Sequence, residues 1–132
     1  MKIHILGIGG TFMAGVAIIA KQLGHTVTGS DKNLYDPMKS VLIKEGIKFI
    51  EGYNSNILKK KIDLVIVGNV MSRGADVIEK LLEKNINFTS GPQWLHDNVL
   101  KNKSVIAVSG THGKTTTSSL LTWILKYSGF NP

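Results

Sequence analysis

Two short stretches hold the residue types that could do chemistry. SGTHGKTTT, from Ser109 to Thr117, sets two glycines beside a lysine and a run of threonines; GIGGTFMAG, from Gly7 to Gly15, follows an apolar run with four glycines. In the first, the consecutive amides of Gly110, Thr111, His112 and Gly113 can cradle phosphate oxygens. Lys114 can neutralise the β and γ oxygens of a nucleoside triphosphate, and the Thr115 hydroxyl can ligate Mg²⁺. The strict pattern GxxxxGK[ST] fails, because Val108 stands five places before Gly113. Thr116 either joins the phosphate contacts or merely starts a helix, and His112 either faces the phosphates or is an ordinary exposed histidine.

GIGGTFMAG has the other context that phosphate chemistry uses, a glycine loop between a strand and a helix. Gly7 permits the tight turn, Gly9 lets a pyrophosphate approach the backbone, and amides from Gly10 and Thr11 onward face an anion at the helix start. Thr11 is either near phosphate or a helix N-cap. Phe12 occupies the place of the third glycine in GxGxxG. A ring there must hold helix and strand apart or fill an adjoining apolar space, which argues against unmodified dinucleotide binding. Asp31, at the end of the next strand, is placed to take a ribose hydroxyl, or else begins a turn.

The elements that must position these loops alternate. Strands are expected from Lys2 to Gly7, Thr26 to Asp31, Lys48 to Ile50, Asp63 to Val67 and Asn87 to Thr89. Helices are expected from Phe12 to Leu23, from Pro37 to Gly46, from Asp76 to Lys84, and from Gln93 to Val99. This rhythm predicts an α/β fold, a Rossmann-like three-layer domain with a mostly parallel sheet, whose ligand lies beyond the strands' carboxyl ends. Residues 1–100 can close as one domain, 101–104 read as a linker, and 105–132 read as the start of a second domain. That second segment is expected to comprise a strand at Val105–Val108, the phosphate loop, and a helix from Ser118 to Tyr127.

Composition narrows the classes. A chain of 132 residues, 42% hydrophobic with fourteen glycines, suits one principal core. The absence of cysteine removes disulfides, thiolate zinc sites and cysteine nucleophiles, and the four histidines lack HExxH spacing. No run reaches bilayer-spanning length and no signal peptide is legible, so the expected location is cytoplasmic, with no membrane partner. The net charge of +7 is spread along the chain; Lys59-Lys60-Lys61 reads as a solvated cluster more readily than as a nucleic-acid patch, and no nucleic-acid partner is expected.

The two loops together, with GSD at Gly29–Asp31, resemble the amino-terminal part of the Mur ligase family, ATP-dependent enzymes of peptidoglycan assembly. GTFM and SGPQWLHD (Ser90–Asp97) resemble its murein-peptide-recycling branch more than its L-alanine-adding branch. The resemblance implies a UDP-substrate site at Gly7, Gly9, Gly10, Thr11, Asp31, Ser72 and Arg73. It implies an ATP and Mg²⁺ loop at Gly110, Thr111, His112, Gly113, Lys114, Thr115 and Thr116, with Lys114 stabilising phosphoryl transfer and Thr115 on the metal. UDP-N-acetylmuramate and the tripeptide L-alanyl-γ-D-glutamyl-meso-diaminopimelate would be the substrates of a three-domain enzyme. This chain is expected to hold the first domain and the opening of the second, binding the UDP-sugar without ligase turnover.

Two other classes compete. A dinucleotide-dependent oxidoreductase requires the third glycine and a positioned acid or base. A non-catalytic nucleotide-binding or interaction protein would use the apolar face of the last helix, with Leu121 and Leu125, for self-association.

Overall fold

In the computed structural model, which describes residues 1–59 and 61–132, strand β1 (Lys2–Leu6) runs between two parallel neighbours, β2 (Thr26–Asp31) and β4 (Leu64–Val67). β3 (Lys48–Glu51) adds outside β2, and β5 (Phe88–Ser90) outside β4. The order is β3-β2-β1-β4-β5, all parallel. The chain therefore moves outward from β1 in one direction, then returns and moves outward in the other. The crevice between the β1 and β4 ends is the topological switch point of a Rossmann-like α/β sheet.

Alternation along β1 assigns its side chains to two cores. Ile3 and Ile5 pack with Ala14, Val16, Ala17 and Ala20 of α1 (Thr11–Gln22), Leu42 of α2 (Met38–Lys44) and Trp94 of α4 (Gly91–Leu95). Leu6, on the opposite face, packs with Val65, with Val77, Ile78 and Leu81 of α3 (Asp76–Glu83), and with Leu58 of a 3₁₀ turn over Ser55–Lys59. Cover on both faces explains why β4, LVIV, reads as an unbroken apolar run, with Ile66 in the first core and Val65 in the second. Strand and helix bounds fall within a few residues of expectation, but Thr11 opens α1 and Pro37 stands at the N-cap of α2. The fourth expected helix is split: α4 ends at Leu95 and a π-helical turn continues over His96–Leu100. The 3₁₀ turn has no counterpart in the sequence reading.

The chain forms two units, Met1–Lys101 and Asn102–Pro132. In the second, α5 (Lys114–Tyr127) begins four residues earlier than expected, directly at the phosphate-loop lysine. The strand expected at Val105–Val108 is corrected: these residues carry no strand pairing, and Val105 and Ile106 are exposed. A strand satisfies its amides and carbonyls only against another strand, and among the described residues of this unit there is none. Of the expected lysine cluster, Lys60 lies outside the described residues.

One contact tests the packing of the sheet against the glycine loop. A Cβ at Gly29, in β2, would stand 2.4 Å from Ile8 Cδ1 and 2.7 Å from Ile8 Cβ, with Ile8 fully buried. Gly29→Ala is expected to destabilise the protein by about 1–3 kcal/mol through overpacking, measured by urea unfolding; a change below about 0.5 kcal/mol, the scale of a surface substitution, would refute the contact.

Candidate nucleotide site at the switch point

The loop leaving β1 is fixed by the end of β2. The Gly7 and Ile8 amides donate to the Ser30 carbonyl at 2.8 and 3.3 Å, and the Gly9 amide donates to Asp31 Oδ2 at 2.7 Å. Asp31 Oδ1 accepts from the Asn33 amide at 3.1 Å, so one carboxylate ties both its own turn and the glycine loop. Gly9 is glycine for a reason the sequence reading missed. Its Cβ would fall 2.9 Å from Asp31 Oδ2 and 3.0 Å from Leu34 Cδ1, so the missing side chain admits the carboxylate clamp.

Gly10, rather than Thr11, is the N-cap of α1, and no side chain caps that end. Gly10 and Thr11 are exposed, and the first-turn amides open toward the crevice side of β1, where helix geometry favours an anion. Gly10 has only the Gly7 carbonyl, 3.7 Å from its would-be Cβ, as a neighbour. Phe12 is half-exposed and its ring edge lies over Gly91, whose added Cβ would meet Phe12 Cε1 at 2.9 Å and Met13 Sδ at 2.7 Å. The ring lies against the start of α4 and stays about half exposed, outside both hydrophobic cores.

Tyr53, just after β3, is a site residue that motif reading did not find. Its hydroxyl lies 3.9 Å from where a Gly7 Cβ would sit. Partial burial, then the charge of Asp31, push the phenol above the ordinary tyrosine range. No spacing rule signals it, because it reaches the site only through the β2–β3 pairing that carries Gly52 beside Asp31.

After β4, Ser72 and Arg73 are exposed. Arg73 is engaged within its own turn: Nε and a terminal nitrogen donate to the two Glu79 carboxylate oxygens at 3.0 and 3.2 Å, and the Gly74 amide donates to the same carboxylate at 2.8 Å. Val70 reaches back instead, its Cγ2 standing 2.9 Å from a Gly7 Cβ position.

In the second unit, Gly113 is the left-handed N-cap of α5, with φ of 79°. The Lys114 ammonium donates to the Gly110 carbonyl at 2.7 Å and the Thr111 carbonyl at 3.4 Å, folding over the loop that precedes it. His112, Thr115 and Thr116 are exposed beside it. No group of three or more His, Cys, Asp or Glu that could hold a metal occurs among the described residues. No helix among the described residues is long and apolar enough to cross a membrane.

Comparison with known proteins follows the same lines. The sequence profile of the Mur ligase family, catalytic domain, matches residues 2–103. UDP-N-acetylmuramate–L-alanyl-γ-D-glutamyl-meso-2,6-diaminoheptandioate ligase of Escherichia coli K12 is 58% identical over 132 residues, all of this chain and 29% of that protein. A murein peptide ligase from Psychrobacter arcticus superposes with a TM-score of 0.91 at 56% identity, over 98% of this chain and 27% of that one. UDP-N-acetylmuramate–alanine ligase of Thermotoga maritima superposes at 0.84 with 29% identity, over 96% and 29% of the two chains. The chain thus spans less than a third of the length of these relatives.

The Glu79 latch makes a pH prediction. The Gly74 amide, then the Arg73 hydrogen bond and charge, outweigh desolvation and hold the Glu79 carboxyl below its ordinary 4.5. A depressed folded pKa means that its stabilisation is present above the unfolded value and lost as pH falls through the folded one. Glu79→Gln is expected to be less stable than the parent at neutral pH, with the gap closing below about pH 4.5. Urea unfolding across the acid range checks this, and a pH-independent gap would contradict it.

Proposed function

The chain belongs to the Mur ligase family, and on that premise we propose that residues 1–101 bind the UDP moiety of UDP-N-acetylmuramate, with residues 105–132 contributing the ATP loop. The whole protein, on this reading, is an ATP-dependent ligase that joins UDP-N-acetylmuramate to L-alanyl-γ-D-glutamyl-meso-diaminopimelate in peptidoglycan recycling, in the cytoplasm. The substrate pair is supported by the name of the E. coli relative, which shares 58% of its residues with this chain. The observation that carries the nucleotide reading is the Asp31 clamp: it sets the glycine loop so that the α1 amides open at the switch point.

Each residue has a share in this reading. Gly7, Gly9, Gly10 and Thr11 offer backbone amides and a hydroxyl to the diphosphate, and Asp31 keeps acceptor capacity for a ribose hydroxyl because a carboxylate has about four lone-pair sites. Ser72 is a free hydroxyl on the facing loop. Arg73 would have to leave Glu79 to reach substrate, which makes it the weaker member of the set.

In the reaction, the muramate carboxylate would attack the γ-phosphorus of ATP, the bond to the bridging oxygen would break with ADP leaving, and an acyl phosphate would result. The tripeptide amine would then attack the carbonyl carbon, and the C–O bond to phosphate would break as the amide forms. Lys114 would exchange the Gly110 and Thr111 carbonyls for phosphate oxygens and stabilise charge as it moves, while Gly110, Thr111, His112, Gly113 and Thr116 line the triphosphate. Mg²⁺, when bound through ATP and the Thr115 hydroxyl, would supply Lewis-acid stabilisation of the phosphoryl oxygens.

Calorimetric titration tests the first step. UDP-N-acetylmuramate is expected to bind saturably with one site per chain and NADH to give no heat. Asp31→Asn should weaken the UDP-sugar at least about tenfold, roughly 1.4 kcal/mol, by removing a charge-assisted bond that orders the loop. NADH binding without UDP-sugar binding would sink the proposal. For the second loop, Lys114→Ala should abolish whatever heat ATP with Mg²⁺ produces; unchanged ATP binding would remove Lys114 from the site.

A further inference from the structure

The sheet face that α3 leaves open carries a cleft of about 420 Å³ which the nucleotide reading does not use. It lies over Lys2 to His4 of β1, Thr26 and Thr28 of β2, and Lys48 to Ile50 of β3, and neither Gly7 nor Asp31 belongs to its lining. The register puts its groups on one face: Lys2 pairs with Thr26, His4 with Thr28, and Thr28 with Lys48.

Three ammonium groups belong to it, on Lys2, Lys48 and Lys61, each exposed and each from a different segment. Among the described residues none of the three forms an ion pair, and no aspartate or glutamate lines the cleft. Asp63 is nearby in sequence, but its carboxylate accepts from the Lys2 backbone amide at 2.6 Å and stands outside the lining. Ile50, Ile57 and Ile62 supply apolar wall, with Ile50 44% exposed. At the floor His4 is only 2% exposed, its ring nitrogens 2.8 Å from Thr28 Oγ1 and 3.2 Å from Ser30 Oγ.

We propose that this cleft binds a small soluble organic anion with an apolar body, at a site separate from the nucleotide crevice. The volume fits one drug-sized molecule, at the lower end of the usual 300–1,000 Å³ range for ligand pockets. An anionic head would gain from three lysines that form no ion pair among the described residues, and an apolar body removes the isoleucine wall from water. Occupancy is also linked to the crevice by a short path. His4 touches Ser30, whose carbonyl holds the Gly7 and Ile8 amides.

The probe for the test is anilinonaphthalene sulfonate, with uncharged phenylnaphthylamine as its neutral counterpart. Fluorescence titration of the 132-residue chain is expected to show saturable binding, and the His4 ring resonance in NMR should shift along the same saturation curve. The His4 readout separates the cleft from the exposed apolar residues of α5, which are far from it in sequence. The double variant Lys48→Glu/Lys61→Glu, both at exposed positions, should weaken binding at least about tenfold, as should raising salt to about 0.5 M. Far-UV circular dichroism confirms that the variant is folded. An unmoved His4 resonance, binding unchanged in the folded double variant, or equal affinity for the neutral probe would each overturn the proposal.

Discussion

The hydrogen bond from the Gly9 amide to Asp31 Oδ2 is the interaction on which the candidate site depends. Asp31 ends β2 and Gly9 lies in the loop after β1, so this bond, with those from Gly7 and Ile8 to the Ser30 carbonyl, fastens the loop to the sheet at three backbone donors. A carboxylate acceptor makes the Gly9 bond stronger than a neutral pair. Its geometry leaves no room for a side chain at Gly9, and it sends the chain into α1 with Gly10 as the N-cap. It adds to the core packing of α1 against β1 in fixing the first-turn amides at the carboxyl end of β1.

Close approach is the second constraint, and beyond Gly7 and Gly9 glycines meet it at three further places by the same means. At Gly29 the neighbour is Ile8, at Gly68 it is the Leu6 carbonyl at 2.7 Å, and at Gly91 it is the pair Phe12 and Met13. These contacts join β2 to the loop, β4 to β1, and α4 to the start of α1. The bulky Phe12 is therefore tolerated because the small residue has moved to its partner. A nucleotide fold that places its third glycine on α1 lets the helix approach the sheet; here the glycine at position 91 lets α4 approach the helix instead.

The alternation of elements was legible because each strand and helix carries its own period and its own stop signal: Gly24, Gly46 and the Lys84–Asn85 turn end three helices close to where the pattern ends. Long-range consequences of pairing were less legible. Asp31 was visible as a carboxylate at a strand end, but its use by Gly9 depends on two segments 22 residues apart meeting in register. Tyr53 and the Arg73–Glu79 latch were invisible for the same reason: neither belongs to a periodic pattern. Val105–Val108 shows the opposite failure, since an apolar run has strand propensity but pairing is a property of two segments.

The two loops differ in how they are held. The β1 loop takes its shape from β2, through Ser30 and Asp31. The loop before α5 takes its shape from within: a left-handed Gly113, a Gly110 at φ of 153°, and the Lys114 ammonium bonded to carbonyls three and four residues before it. These contacts all lie within residues 110–114, so the closure is local, whereas the β1 loop depends on a carboxylate 22 residues away. On the proposed reading, an incoming phosphate would replace two carbonyls on Lys114 with oxygens that bear more charge. A triphosphate would, on that reading, meet the requirement better than a neutral ligand, because its oxygens would gain from the ammonium and from the α5 amides at once.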